Sequence, residues 1–208
     1  DISPDGERAL FRARGDLFTV PAEEGITRNL TTSSDANERY PAWSPDGKWI
    51  VTVSDETGED ELFLYSYDGS ERRRLTTDGY CWRYAPEWSP DSKRVVFSDK
   101  NLAVYSVEIE DGTVKLIDQA MRNEIRSFSF SPDSRYVAYS KDLDNNITAI
   151  FFYDFEEDRI HQVTPGLTDD YSPVFDPDGK YLYFLSRREF NPILSNYEFQ
   201  FVNQAMTN

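Results

Sequence analysis

Histidine and cysteine are each present once in this 208-residue chain, as His161 and Cys81. A serine–histidine–aspartate triad therefore has a single candidate base, and His161 lies between Ile160 and Gln162 in a strand-like run, where a solvated position explains it without catalysis. One histidine and one cysteine are too few for a usual zinc site, and one thiol closes no internal disulfide. Positive charge is also scarce: 22 Lys plus Arg stand against 38 Asp plus Glu, a formal net charge of −16. Nucleic acids and anionic membrane surfaces both need a basic footprint, so the balance argues against DNA, RNA and membrane as partners. No apolar run approaches the roughly 18 residues of a membrane helix, and no segment holds helical periodicity over a useful length. The compartment, cytoplasm or periplasm, is left open.

Turn sequences are abundant instead. Ser3-Pro4-Asp5-Gly6 is followed by Trp43-Ser44-Pro45-Asp46-Gly47-Lys48, Trp88-Ser89-Pro90-Asp91-Ser92-Lys93, Phe130-Ser131-Pro132-Asp133-Ser134-Arg135 and Phe175-Asp176-Pro177-Asp178-Gly179-Lys180. Their prolines are 41, 45, 42 and 45 residues apart, a period that marks a repeat architecture. Proline presets φ for the first corner, and Asp followed by Gly or Ser suits the second. A β-branched or aromatic run follows each turn, as in Trp49-Ile50-Val51-Thr52-Val53 and Tyr181-Leu182-Tyr183-Phe184-Leu185. Asp68-Gly69 and Asp111-Gly112 supply further hairpin reversals.

Units of this length with four short strands predict an all-β fold, a β-propeller of four-stranded blades. A long β-sandwich also turns every 8–12 residues or so, but it does not repeat one turn sequence at a constant four-strand interval. The predicted blades are residues 1–32, 38–77, 83–118 and 125–164, with a partial fifth over 170–208. The first unit has no incoming strand, and the last has two strands and a possible third at Tyr197–Phe201. The propeller is therefore expected to be incomplete, with about four and a half blades, and the chain to be a piece of a longer protein. The aromatics two positions before each turn proline (Trp43, Trp88, Phe130 and Phe175) are predicted to fill the wedges between blades.

The remaining chemistry is sparse. Asp142-Leu143-Asp144-Asn145-Asn146 begins like a calcium loop, but Ile147 stands where that loop needs glycine and Tyr153 where it needs glutamate. The acidic runs Asp55–Glu61 and Glu156–Asp158 read as solvated hairpin faces. No catalytic residue, metal site or cofactor is predicted.

The run Ala9-Leu10-Phe11-Arg12-Ala13-Arg14-Gly15-Asp16-Leu17-Phe18-Thr19-Val20-Pro21-Ala22-Glu23 resembles the start of the second propeller of the Tricorn protease family. Arg28-Asn29-Leu30-Thr31, Pro41 to Ile50, Phe184-Leu185-Ser186 and Phe190-Asn191-Pro192 extend the resemblance along essentially the whole chain. The turn motif by itself is shared with TolB-like and prolyl-oligopeptidase-type propellers. The resemblance implies a parent serine peptidase whose seven-bladed second propeller filters and guides oligopeptides, with the family's catalytic residues beyond this chain. It leaves two alternatives: a TolB-like protein-binding scaffold, or a truncated propeller without retained activity. Expected partners are oligopeptides, the missing domains of the parent, or a second copy meeting open blade edges.

Blade geometry nominates one set of positions for a peptide path. The strand before each turn is expected to be innermost, and six residues ahead of successive turn prolines stand Arg39, Tyr84, Arg126 and Tyr171. Glu38, Arg83, Glu124 and Asp170 lie beside them. Arginine suits a peptide C-terminal carboxylate, and tyrosine suits side-chain or backbone contacts. Ordinary loop packing and ion pairing are the competing reading.

Overall fold

A computed structural model describes residues 1–31 and 35–188. The chain forms consecutive antiparallel sheets, each folding in sequence order. The first contains β1 (Arg8–Ala13), β2 (Asp16–Pro21) and β3 (Arg28–Asn29), with Ile2 bridging Ala9 in place of a full incoming strand. The second contains β4 (Arg39–Trp43), β5 (Trp49–Ser54), β6 (Glu61–Ser66) and β7 (Arg72–Arg74). The third contains β8 (Glu87–Trp88), β9 (Arg94–Ser98), β10 (Ala103–Glu108) and β11 (Val114–Gln119). The fourth contains β12 (Phe128–Phe130), β13 (Tyr136–Asp142), β14 (Thr148–Asp154) and β15 (Arg159–Gln162). Strands β16 (Asp169–Phe175) and β17 (Leu182–Arg187) make the fifth. This is an incomplete propeller, and among the described residues the ring is not closed. The strand expected at Tyr197–Phe201 and the stretch from Phe190 lie outside the described residues.

Each turn motif closes on itself. The Ser44 hydroxyl donates to Asp46 Oδ1 at 2.7 Å and accepts from the Trp49 N–H at 3.0 Å, while the Lys48 N–H donates to the same carboxylate oxygen at 3.1 Å. Ser3/Asp5, Ser89/Asp91 and Ser131/Asp133 repeat this arrangement at 2.5, 2.6 and 2.5 Å. The Ser3 hydroxyl holds the Asp5 carboxyl below its ordinary range, and Ser131 does the same for Asp133. The motif therefore needs the serine and the aspartate as much as the proline.

The wedges between sheets hold the core. Leu10 and Leu17 of the first blade pack with Trp43, Ile50, Phe63 and Tyr65 of the second. Val51, Leu62 and Leu64 pack with Trp88, Val95 and Phe97. Val96 and Val104 pack with Val137, Tyr139 and Phe151, and Phe130 lies against that cluster. The predicted role of Trp43, Trp88 and Phe130 as wedge fillers is observed. The register is regular: the residue six after a turn proline (Leu10, Val51, Val96) faces the following blade. Those two before and five after (Trp43/Ile50, Trp88/Val95, Phe130/Val137) face the preceding one.

The outer strands are shorter than their sequences suggest, because a threonine hydroxyl takes over where the ladder stops. Thr31, Thr76 and Thr164 accept from the N–H groups of Leu17, Leu62 and Ile150 at 2.9, 3.0 and 3.0 Å. Thr31 also donates to Asp16 at 3.0 Å and Thr76 to Glu61. These contacts explain the recurring Leu-Thr at residues 30–31 and 75–76: the leucine enters the wedge and the threonine latches the blade's third strand.

Candidate functional site

Arg39 opens β4 and Tyr171 lies within β16, whereas Tyr84 and Arg126 lie in the segments leading into β8 and β12. In β4 the register shifts between Arg39 and Ala42, with Tyr40 at φ +52° ahead of Pro41. In β16 it shifts between Tyr171 and Val174, with Ser172 at φ +54° ahead of Pro173. Proline supplies no ladder donor, and the resulting bulge re-aims the residue before it. Arg39 and Tyr171 thereby leave the plain alternation of the strand.

Arg39 is buried. Its guanidinium pairs with Asp60 and lies 3.6 Å beneath the centre of the Trp82 ring. Nε and Nη1 of Arg39 have no hydrogen-bond partner. Asp60 also accepts from the Arg83 N–H at 2.8 Å. Next to it, Glu61 accepts from Arg74 Nη2 at 2.8 Å and the Gly79 N–H at 2.9 Å, and lies 3.2 Å from Arg83 Nη1. Arg83 Nη2 donates to Asp78 at 2.8 Å. This corrects the reading of residues 55–61 as a solvated face. Glu56 to Glu59 are exposed, but Asp60 and Glu61 are buried, with guanidinium and backbone amide donors of Arg39, Arg74, Gly79 and Arg83 converging on them. Trp82 had no periodic counterpart in the other repeats, so sequence reasoning missed it.

Tyr84 and Arg126 come together across the boundary between the third and fourth blades. The Tyr84 hydroxyl donates to Glu124 Oε1 at 2.8 Å, and Arg126 Nη2 donates to that hydroxyl at 3.3 Å. The Arg126 guanidinium carbon lies 4.4 Å from the Tyr84 ring centre, and Nη2 is 3.5 Å from Glu124. The tyrosine hydroxyl holds Glu124 below the ordinary carboxylate range; burial and the same contact raise the Tyr84 phenol. The Arg126 side chain is nevertheless 61% exposed. Tyr171 stands apart from this group, with Arg187 5.9 Å over its ring.

Glu38 is fully buried between the first two blades. Its Oε1 accepts from Ser54 at 3.1 Å and Tyr65 at 3.4 Å, while Oε2 has no partner. Burial raises its carboxyl to about 7.

The remaining candidates have structural partners. His161 stacks on Phe152 at 4.9 Å and lies 3.4 Å from Glu157. The calcium-like loop is bonded to the connection between β11 and β12: Arg122 reaches Asn146 and the Asp144 carbonyl, and Asn123 Nδ2 donates to Asp142 at 2.5 Å. Glu156 and Asp158 pair at the surface with Arg135 and Lys115, each at 2.7 Å. Among the described residues no group of three or more His, Cys, Asp or Glu side chains is placed to hold a metal ion. None of their helices is long and apolar enough to cross a membrane. An open cleft of about 610 Å³ lies at the turn end of the first two blades, lined by Asp5, Glu7, Glu23, Glu24, Arg8 and Arg28 among others. Arg8 Nη2 is already taken by Thr19 and the Ile26 carbonyl.

The family model described as the Tricorn protease second beta propeller domain matches residues 1–208. The Tricorn protease of Thermoplasma volcanium is 27% identical over 206 residues, covering 96% of this chain and 20% of its own length. Tricorn protease homolog 1 of Streptomyces coelicolor is 30% identical over 205 residues, covering 95% of this chain and 19% of its own. The crystal structure of the tricorn protease superposes with a TM-score of 0.81 at 25% identity, over 94% of this chain and 20% of that one. The structure of putative TolB from Agrobacterium tumefaciens shares the fold, with a TM-score of 0.62 at 20% identity, over 92% of this chain and 70% of that one. The chain spans about one-fifth of the length of the Tricorn relatives it matches.

Proposed function

The chain belongs to the family of the Tricorn protease second β-propeller domain, and from that premise we propose that it is a non-catalytic propeller segment of a Tricorn-like serine peptidase, guiding or filtering oligopeptides. Peptide-bond hydrolysis is assigned to the rest of a much longer parent. The observation that carries this reading is the Tyr84–Glu124–Arg126 group. Two of the four positions six residues before a turn proline meet there across neighbouring blades, and an arginine remains exposed. A guanidinium presents a planar fork of donors to a carboxylate. Tyr84 supports its face and Glu124 its Nη2, so the free edge is oriented without being neutralised by deep burial. A peptide C-terminal carboxylate fits that edge, and the Tyr84 ring offers an apolar surface to the residue before it. Arg39, held under Trp82, is assigned to shaping the neighbouring wall.

The test is binding of fluorescently labelled oligopeptides to the full chain, each peptide made with a free and an amidated C-terminus. Tighter binding of the free acid is expected, with the preference lost in Arg126→Ala and retained in His161→Ala. Equal binding of the two forms, or no binding of either, would overturn the assignment.

A further inference from the structure

Three of the four tryptophans, Trp43, Trp49 and Trp88, pack in the wedges between blades, whereas Trp82 is 44% exposed. It leads into the third blade, which has a four-stranded neighbour on both sides. The backbone around it is clamped. The Trp82 carbonyl accepts from the Lys100 N–H at 2.9 Å and the Tyr84 N–H donates to the Ser98 carbonyl at 2.8 Å, with Arg83 bridging Asp99 between them. Residues 82–84 are thereby held as an extended segment against the end of β9. The ring has a floor as well, the Arg39 guanidinium 3.6 Å from its centre. One carboxylate ties floor and ring together: Asp60 Oδ1 accepts from Arg39 Nη2, and Oδ2 accepts from the Arg83 N–H at 2.8 Å. Arg39 keeps this place although its Nε and Nη1 are buried without a partner, an arrangement that costs stability. The face of the guanidinium, rather than its full set of donors, is what the position uses.

An aromatic ring left in water on a rigid support is a preorganised stacking surface. Tyr84, two residues on, carries a second pair of the same kind, with Arg126 4.4 Å from its ring centre. Trp82 reaches back to Arg39 of the second blade, and Tyr84 reaches forward to the segment entering the fourth. Residues two apart in an extended segment are separated by about 6.6 Å, and a bound extended peptide repeats its side chains at the same interval.

We propose that Trp82 is a stacking subsite for a neutral aromatic side chain of an oligopeptide, positioned by Arg39 and set two residues upstream of the residue over Tyr84. This subsite rests on the assignment of Arg126 to the peptide carboxylate. With that carboxylate on Arg126 and the penultimate residue on Tyr84, the ring belongs to the fourth residue from the C-terminus. A lysine or arginine fits the same place poorly, because a second cation would face Arg39 across a single ring. Trp82 therefore selects for a ring in the peptide, while Arg126 selects for its free end.

Fluorescein-labelled glycine–serine octapeptides test this by anisotropy on the full chain. Phenylalanine is placed at each position in turn, and every peptide is made with a free and an amidated C-terminus. Phenylalanine fourth from the end is expected to bind roughly three- to tenfold tighter than serine there. Lysine at that position is expected to bind no better than lysine elsewhere. Trp82→Ala should remove the phenylalanine gain and Trp82→Phe retain part of it, both with the parent's circular dichroism because the ring is exposed. Arg39→Met takes the cation from beneath the indole, and is expected to weaken the gain and remove the discrimination against lysine. A free-acid preference without a phenylalanine preference would overturn this subsite and leave the Arg126 assignment standing. A phenylalanine preference without a free-acid preference would overturn the Arg126 assignment while supporting the stacking subsite. A gain that is equal in wild type and Trp82→Ala, or no peptide binding at all, would overturn the proposal.

Discussion

The hydroxyl of Ser92 accepts a hydrogen bond from the Asp46 N–H at 3.0 Å, joining the turn of the third blade to that of the second. Ser134 does the same for Asp91 at 3.0 Å, one blade further on. Both serines stand where other copies of the motif have glycine, and both hold a left-handed backbone, at φ +59° and +62°. Where glycine remains, at Gly47 and Gly179, an added Cβ would meet Pro4 and Pro132 of the preceding turn at 3.8 and 3.5 Å. The fourth residue of each turn therefore rests on the turn before it. In two blades an inter-blade hydrogen bond offsets the strain of a non-glycine residue.

Ser92→Ala and Ser92→Gly separate those effects. Alanine keeps the left-handed strain and loses the bond, and is expected to cost about 0.5–1.5 kcal/mol. Glycine loses the bond but relieves roughly 1 kcal/mol of strain, and is expected near neutral. Urea unfolding measures both; a glycine variant less stable than the alanine one would refute the account.

The two wedge tryptophans predict a second contrast. Trp88 Nε1 donates to the Ala42 carbonyl of the preceding blade at 3.1 Å, whereas Trp43 Nε1 is buried without a partner. Truncation to alanine should cost about 3–5 kcal/mol at either site. Replacement by phenylalanine should distinguish them: Trp88→Phe loses a hydrogen bond to the preceding blade, while Trp43→Phe removes an orphan donor. Trp88→Phe is expected to be the more destabilising by about 1 kcal/mol, and equal costs would count against it.

The same tryptophans show why the scaffold was legible in the sequence. Wedge positions recur at a fixed offset from a turn proline, so each copy checks the others, and the period alone places Trp43, Trp88 and Phe130. The candidate site lacks that redundancy. Arg39, Tyr84, Arg126 and Tyr171 share an offset but not an environment, because bulges before Pro41 and Pro173 re-aim two of them. Asp60 looked like one more acidic loop residue, since its partners Arg39 and Arg83 are distant in sequence. Charge pairing between elements leaves no periodic trace. A strand entry ending in two adjacent carboxylates, with an arginine-rich outer strand following, was the one available signal.

Arg39 and Asp60 should therefore behave as a unit. Asp60→Ala leaves a buried guanidinium uncompensated and is expected to cost about 3–5 kcal/mol. Arg39→Met should cost less, because Asp60 keeps the Arg83 N–H. The double variant is expected to be more stable than Asp60→Ala alone, and a purely additive cycle in denaturant unfolding would contradict the coupling.

Glu38 gives the chain a specific pH response. Its buried carboxylate has two hydroxyl donors and no paired cation; Arg72 lowers its pKa and Asp55 raises it. Burial raises its pKa from 4.5 to about 7, so the folded chain binds a proton more tightly than the unfolded one. The stabilising contribution is therefore complete below pH 4.5 and is lost as pH rises toward and through 7. At about 1.4 kcal/mol per pH unit, the loss is on the order of 3 kcal/mol. Carboxylates with lowered values, such as Asp68 and Asp154 at about 2, act in the opposite direction but well below this window. Glu38→Gln keeps the shape without the charge, so the difference between wild type and variant isolates this one group. Measured by urea unfolding, that difference should be small near pH 5 and grow in favour of the variant up to pH 8. A difference that stays constant across the window would show that Glu38 is not the titrating group.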